Sequence, residues 1–198
     1  MTFSVFLSLL GFAFVSAMTP GPNNLMLVAS GANYGVRRSV PHALGISIGF
    51  PVMILLVALG VGQVFDIFPG LHTGLKVAAV AYMLWLAWKI ASATPHMKEA
   101  DSAGRPLTFL QAAGFQWVNP KAWTMALSAS TLFLVPESGW WAVLALPFAF
   151  LLTALLSTST WTVLGVGIRR LLETPARLRA FNIVMALLLV ASLWLILR

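Results

Sequence analysis

The sequence predicts an all-α integral membrane protein with six transmembrane helices, arranged as two inverted three-helix repeats. The 198 residues are 60% hydrophobic and only 9% charged, whereas about 25% of the residues in a typical soluble domain are charged. Apolar blocks recur along the chain at lengths near the ~20 residues that cross a bilayer. The first and fourth blocks are interrupted by prolines, which predicts that helices 1 and 4 are broken near the membrane midplane.

Six apolar blocks define the predicted spans. They cover residues 3–30, 43–63, 71–92, 108–135, 140–163 and 180–197. We expect residues 1–198 to form a single transmembrane domain, with repeat one at about 1–95 and repeat two at about 106–198. Pro20 in the first block matches Pro120 in the fourth, and Pro51 in the second matches Pro147 in the fifth. Because each half has an odd number of spans, the second half must enter the membrane inverted, as in many secondary transporters.

The first block contains Thr19-Pro20-Gly21-Pro22-Asn23-Asn24, a sequence that an ordinary helix interior does not tolerate. Each proline removes a backbone N–H and leaves a carbonyl of the preceding turn without its partner. In lipid such carbonyls are tolerated only where they are buried in protein or line a wet cavity. Paired breaks in corresponding spans indicate a substrate site, so these six residues are candidate substrate-binding residues.

The second break is Asn119-Pro120-Lys121, and Lys121 is the charged side chain that lies well inside a predicted span. An ammonium at mid-membrane costs a few kcal/mol or more unless it faces a cavity or a partner. No Asp or Glu lies inside a predicted span to neutralise it. Two roles remain open: a clamp for a substrate carboxylate, or a structural tie to the carbonyls of Thr19–Asn24.

Amide and aromatic side chains flank both breaks. Asn23, Asn24 and Asn119 offer the donors and acceptors that a zwitterion needs, although asparagines in such positions also cap helices. Trp117 and Trp123 lie on either side of the second break. Either could cover a substrate ammonium through a cation–π contact, and packing is the alternative role.

Two further patterns predict helix packing rather than chemistry. Hydroxyl side chains cluster in the fifth block, and we expect them to bond within or between helices; they are Ser157, Thr158, Ser159, Thr160 and Thr162. Gly45 and Gly49 have the Gly-x-x-x-Gly spacing that lets two helices approach closely. Their partner is either another helix of this chain or a second copy in a homodimer.

The loop charges predict the orientation. Nine basic residues follow the first, third and fifth blocks; they are Arg37, Arg38, Lys89, Lys98, Arg105, Arg169, Arg170, Arg177 and Arg179. The opposite side has only Lys76 and Arg198. The positive-inside rule places the nine in the cytoplasm and both termini in the periplasm.

Several other classes of protein are disfavoured. The chain has no Cys, which excludes disulfides and thiolate metal sites, and we expect no metal or cofactor. The net charge of +7 is distributed between apolar blocks rather than on one face, so nucleic acid is not an expected partner. An intramembrane enzyme would need a nucleophile paired with a base, and no Gly-x-Ser-x-Gly elbow is present. A non-transporting membrane scaffold leaves the paired breaks unexplained.

These motifs carry a resemblance to a known family. Thr19-Pro20-Gly21-Pro22-Asn23, followed by glycines at 31, 35, 45 and 49, resembles the signature of the lysine-exporter (LysE) superfamily and its homoserine/threonine-resistance (RhtB) branch. Asn119-Pro120-Lys121 is similar to the second motif of that family. The resemblance covers essentially the whole chain. It implies a bacterial inner-membrane exporter of amino acids or their derivatives, driven by the proton motive force.

One difference from that family narrows the range of expected substrates. Basic-amino-acid exporters of the superfamily typically carry an acidic residue in the second span, whereas this sequence reads Ile46-Ser47-Ile48-Gly49-Phe50-Pro51. A cationic substrate side chain would have no counter-charge there. We therefore expect a neutral amino acid, hydroxylated or small and apolar, and the sequence does not choose among serine, threonine, homoserine, branched-chain and sulfur amino acids.

Overall fold

The computed structural model describes residues 1–60, 69–93, 105–134, 139–172 and 174–193, and these form α-helices with one short 3-10 turn. The helices are α1 (Phe3–Met18), α2 (Pro22–Ala58), α3 (Pro69–Ala91), α4 (Phe109–Phe115), α5 (Pro120–Phe133), α6 (Trp140–Arg169) and α7 (Pro175–Ala191). The 3-10 turn, Gln116–Val118, lies between α4 and α5. Lys98 and the predicted ends of the second, fourth and sixth spans lie outside the described residues.

Both predicted breaks are present. α1 ends at Met18, the backbone is extended at Thr19 and at Gly21, and α2 restarts with Pro22 as its first residue. The second break follows the 3-10 turn, where Asn119 is extended and Pro120 begins α5. Proline suits the first position of a helix because its missing N–H has no partner there in any case. Pro22, rather than Pro20, therefore occupies the position that Pro120 occupies in the other half.

The first two predicted spans are joined at Gly35. α2 runs from Pro22 to Ala58, but its helical dihedral angles are interrupted at Gly35, where φ is 76° and ψ is 174°. Glycine takes that conformation without the steric penalty that a Cβ brings. The Ser30 and Ser39 hydroxyls lie 2.7 Å apart, whereas nine residues of a straight helix would separate them by roughly 13 Å, so the chain bends sharply between them. The kink therefore lies in the connection predicted between the first and second apolar blocks.

α2 and α6 cross each other in very close contact. A Cβ built on Gly31 would lie 2.2 Å from the carbonyl oxygen of Thr162, and one built on Gly165 would lie 2.2 Å from that of Val28. No real side chain fits at such distances. The two glycines therefore allow the backbones to touch, which is the usual role of small residues where membrane helices pack.

Gly45 and Gly49 form a second close contact, and their partner belongs to the same chain. A Cβ on Gly45 would lie 2.4 Å from the Phe109 carbonyl oxygen, and one on Gly49 would lie 2.6 Å from the Cα of Ala113. The Gly-x-x-x-Gly spacing thus seats α4 against the second part of α2. It no longer argues for a homodimer.

The buried apolar side chains form two clusters. The first joins α1, the second part of α2, α5 and α6, and includes Leu9, Phe50 and Phe150. The second joins α2, α3, α4 and α7, and includes Leu27 and Phe115. Each cluster therefore combines helices from both halves of the chain, and the two breaks are brought together where the halves meet.

The outer surface is apolar in a way that suits lipid. Large hydrophobic side chains stand more than half exposed on every side of the bundle, among them Leu7, Val77, Leu110, Leu132, Val163 and Leu187. Two helices, Pro22–Ala58 and Trp140–Arg169, are individually long and apolar enough to cross a membrane. The helices that border the breaks, α1, α4 and α5, are each too short to cross a membrane alone. The six-span arrangement therefore stays a prediction.

Candidate functional site

A cavity of about 40 Å³ lies between the two breaks. Its polar lining comes from both breaks and from α6, namely Ser16, Asn23, Asn24, Gln116, Asn119, Lys121, Ser157 and Thr158. Its apolar lining includes Ile46, Phe50, Ala122, Met125 and Ala154. Five of the eleven predicted site residues thus line one cavity: Gly21, Asn23, Asn24, Asn119 and Lys121.

Lys121 connects the two breaks directly. Its ammonium donates hydrogen bonds to the carbonyl oxygens of Thr19 and, at 3.4 Å, Pro20. Its side chain passes so close to Gly21 that a Cβ there would lie 2.7 Å from Cδ of Lys121. In this conformation Lys121 is the structural tie that was one of its two predicted roles, and Gly21 provides the room for it.

Asn24 and Ser157 satisfy the other carbonyls at the first break. The Asn24 amide donates to the carbonyls of Ala17, at 3.0 Å, and Thr19, at 2.9 Å. The Ser157 hydroxyl on α6 donates to the same Ala17 carbonyl at 2.8 Å. Main-chain groups that a helix would have paired internally are therefore paired with side chains from three elements, as the interior of a membrane requires.

Asn119 and Pro120 position Lys121 at the start of α5. The Asn119 side-chain oxygen accepts a hydrogen bond from the Lys121 N–H at 3.1 Å, which caps the helix. Asn119 itself is almost fully buried. The capping role predicted for this asparagine is present, and the cap holds the first turn of α5 so that the lysine side chain reaches across the cavity.

A pair of amides links the breaks a second time. The Asn23 amide donates to the Gln116 side-chain oxygen at 2.8 Å, and the Gln116 amide donates back at 3.3 Å and to the Ala112 carbonyl at 2.8 Å. Gln116 has no exposed surface, and the sequence analysis did not select it. An amide three residues before Asn119 in an apolar block was the signal that could have found it.

Trp117 and Trp123 pack against each other instead of lining the cavity. Their rings meet edge to face at 5.9 Å, and the Trp123 indole N–H donates to the Trp117 carbonyl at 2.8 Å. Both rings also pack against the first apolar cluster. The geometry supports the packing role of these residues in this conformation.

The hydroxyl side chains on α6 fall into two groups, one that faces the cavity and one that bonds within the helix. Thr158 shares a 3.0 Å hydrogen bond with Ser47 on α2 and lines the cavity beside Ser157. Thr160 and Thr162 donate to carbonyls of their own helix. All four hydroxyls therefore fit the packing prediction, because Ser157 and Thr158 bond to neighbouring helices and Thr160 and Thr162 bond within α6. Ser157 and Thr158 also line the cavity.

The family model described as "LysE type translocator" matches residues 5–192. The chain belongs to the LysE type translocator family. It is 32% identical over 182 residues to proteins described as "Cysteine/O-acetylserine efflux protein" from Escherichia coli K12, Shigella sonnei and Shigella flexneri, with 90% of each chain covered. No solved structure matches.

Family membership confirms the resemblance read from the breaks and makes the protein a translocator rather than an enzyme. The lining of this LysE type cavity fits that role, because it binds rather than reacts. None of the described residues around it is acidic, and the described part of the chain holds no group of three or more His, Cys, Asp or Glu able to take a metal. One ammonium, four amides and three hydroxyls are groups that can instead bind a carboxylate and an ammonium together.

Proposed function

We propose that this protein exports a small neutral amino acid or its derivative across the bacterial inner membrane, by alternating access at the broken-helix cavity. The observation that carries the proposal is the Lys121 ammonium, which bridges the two breaks inside a cavity lined by amides and hydroxyls. Carbonyl oxygens are its partners here. A substrate carboxylate is a stronger acceptor for the same ammonium, because the carboxylate carries a full negative charge whereas a carbonyl oxygen carries only the partial charge of a dipole.

The lining supports a neutral zwitterion. A lysine or arginine substrate would bring a second positive charge next to Lys121, and no described lining residue could neutralise it. Cysteine and O-acetylserine, named in the descriptions of the relatives, are both neutral, and their short side chains suit the Ile46, Phe50 and Met125 side of the cavity. We therefore place these two among the preferred substrates, with serine and threonine as close analogues.

The cavity must open for transport. In this conformation the Lys121 ammonium joins the two breaks through the Thr19 and Pro20 carbonyls, so a substrate cannot pass between them. We propose that the substrate carboxylate replaces the carbonyls of Thr19 and Pro20 on Lys121, which releases the tie between the breaks. The helices of the two halves are then free to separate on one side of the membrane and to close on the other.

The positions of two basic residues and two exposed tryptophans support the predicted topology. Lys89 at the end of α3 and Arg105 before α4 line one common cavity with Asn33 and Tyr34 of α2, so three predicted cytoplasmic segments lie at the same end. Trp140 and Trp141 at the start of α6 are largely exposed, as expected of an interfacial aromatic belt at the other end. We propose six spans with both termini periplasmic and the two halves as inverted repeats.

Proton coupling is the energy source that the family resemblance implies. No carboxylate among the described cavity residues can carry the proton. Lys121 is the titratable group at the centre of the cavity, so we propose that it exchanges the proton directly or through water. Its release from the breaks would then depend on both substrate and proton.

Reconstitution into proteoliposomes tests the function. Vesicles loaded with labelled cysteine, O-acetylserine, serine or lysine are given an imposed pH gradient, and efflux is followed with and without an uncoupler. We expect efflux of the neutral amino acids, loss of that efflux with the uncoupler, and none for lysine. Lysine efflux as fast as cysteine efflux would refute the neutral-substrate argument, and no efflux of any amino acid would favour a scaffold.

A further inference from the structure

A second cavity, of about 50 Å³, lies at the end of the bundle that we assign to the cytoplasm. It is enclosed by the first part of α2, the segment of α2 after the Gly35 kink, the end of α3 and residues 105–107. No residue of the broken-helix cavity lines it. The family motifs at the two breaks therefore give it no role.

The His42 side chain lies in this cavity without a partner. It is 2% exposed, and neither ring nitrogen has a hydrogen-bond partner. A buried polar group left in this state destabilises the fold compared with one that has a partner. An apolar residue of similar size would avoid that cost, so the imidazole at this position indicates a ligand.

Two other polar side chains of the lining, Ser30 and Asn33, are engaged with neighbouring side chains. The Ser30 hydroxyl bonds to that of Ser39 at 2.7 Å, and Asn33 and Asn182 exchange two hydrogen bonds of 2.7 and 3.0 Å. These pairs fix the walls. The imidazole of His42 is therefore the buried side chain of the lining whose donor and acceptor are available to a ligand.

The charged side chains that line the cavity among the described residues are both basic, Lys89 and Arg105. The Lys89 ammonium lies over the Trp85 ring, 5.4 Å from its centroid. Two cations and a neutral imidazole that offers one N–H form a site for an anion, and a carboxylate accepts from all three groups.

We propose that this cavity is an entrance site that binds the carboxylate of a small amino acid through His42, Lys89 and Arg105, before that amino acid reaches the breaks. The inference rests on the proposed function, because it takes the exported amino acid as the ligand. The free acceptor nitrogen of His42 would receive a hydrogen bond from the amino group. A compact zwitterion therefore satisfies every group that the cavity leaves unpaired.

Ring NMR of His42 tests the proposal. The chain has three histidines, so protein labelled at histidine gives few ring signals, and His42→Gln identifies the one of interest. O-acetyl-L-serine is titrated into the full-length protein in lipid nanodiscs, with its methyl ester, which lacks the carboxylate, as the control ligand. We expect a saturable shift of the His42 signal with the acid and none with the ester.

Variants assign that shift to the entrance site. Lys89→Met combined with Arg105→Met should weaken the apparent affinity at least about tenfold, the effect of losing one charge-assisted contact. Lys76→Met, which removes a lysine from the other end of the same helix, should leave it unchanged. In Lys121→Met the His42 shift should persist. The inference is overturned by an absent shift, by a shift that survives the double substitution, or by one that disappears in Lys121→Met.

Efflux measured on the same preparations separates this inference from the proposed function. If the protein exports the amino acid but the His42 signal does not shift, the entrance site alone is overturned. A carboxylate-dependent His42 shift in a protein that transports nothing would overturn the exporter alone.

Discussion

Replacing Lys121 with methionine should remove substrate binding while leaving the fold intact. Methionine keeps the length of the side chain and removes its charge. In the structure the Lys121 ammonium donates to the Thr19 and Pro20 carbonyls. The Thr19 carbonyl retains the Asn24 amide as a donor at 2.9 Å, so only the Pro20 carbonyl depends on the lysine alone. We expect a loss of only about 1 kcal/mol in the free energy of unfolding, because the lost charged hydrogen bond is partly offset by no longer placing an ammonium inside the membrane.

The loss of binding should be larger. A hydrogen bond to a charged group contributes roughly 1.5–3 kcal/mol, which corresponds to about ten- to a hundredfold in affinity. The Thr19 and Pro20 carbonyls compete with the substrate carboxylate for the Lys121 ammonium. The measured affinity of the wild-type protein therefore reflects the difference between these two interactions. For this reason we expect a loss of affinity near the tenfold end of the range. Lys121→Arg keeps the positive charge but presents its donors as a planar fork. Substrate binding should therefore persist, whereas release of the side chain from the Thr19 and Pro20 carbonyls, which transport requires, should be impaired.

The assay is equilibrium binding of labelled cysteine to purified protein, beside the carboxamide of cysteine. Wild type should prefer the acid, Lys121→Met should bind acid and amide equally, and Lys121→Arg should keep the preference. Thermal unfolding of the same samples confirms that each variant is folded. If folded Lys121→Met still prefers and exports the acid, the lysine is only a tie and the carboxylate binds elsewhere, around Asn23 and Asn119.

The remaining predictions concern topology, packing and the second link between the breaks. Single cysteines at Thr174 and Gly139 report the orientation: a membrane-impermeant thiol reagent on intact cells should label position 139 only, and labelling at 174 would reverse the topology. Gly165→Ala should destabilise the protein by about 1–3 kcal/mol, the usual cost of overpacking, because the new methyl would lie 2.2 Å from a carbonyl oxygen. In the control variant Gly167→Ala the new Cβ meets open space, so the protein should unfold at the same temperature as wild type. Equal losses of stability in the two variants would contradict the close contact between α2 and α6. Gln116→Leu should reduce cysteine efflux in proteoliposomes because it leaves the opposing amide unpaired at roughly 1–3 kcal/mol, and unchanged efflux would mean that this link has no role in transport.

The two breaks were predictable because their cause is local. Pro22 and Pro120 lack the N–H that would continue a preceding helix, and both begin a helix in the structure. A single proline does not by itself end a helix, because Pro41 and Pro51 lie inside α2 and Pro147 lies inside α6. The kink at Gly35 lies in the connection predicted between the first two spans, but its sharpness was not predicted. A glycine in an apolar block is compatible with a straight helix, a turn or a kink, and the choice depends on how the two parts of α2 pack against α4 and α6.

The cavity lining was predicted only in part, for a similar reason. Asn23, Asn24 and Lys121 were selected because they stand beside a break in the chain. Gln116 and Ser157 reach the same space although neither stands within a break, and Ser157, which the sequence predicted to serve helix packing, lies on a different helix. A sequence shows spacing along one helix but not which residues of two helices face each other.

The sequence by itself determined the membrane class, the broken helices and the family, because composition and proline chemistry act through a few neighbouring residues. It also identified Lys121 as a charge in need of a partner, since burying an unpaired ammonium is costly in any fold. Only the tertiary structure decided which partner that is, in this conformation the carbonyls of the opposite break. It also placed His42, Lys89 and Arg105 around one cavity. Both outcomes depend on contacts between segments far apart in the chain, and close helix crossings such as that at Gly31 and Gly165 fix those contacts.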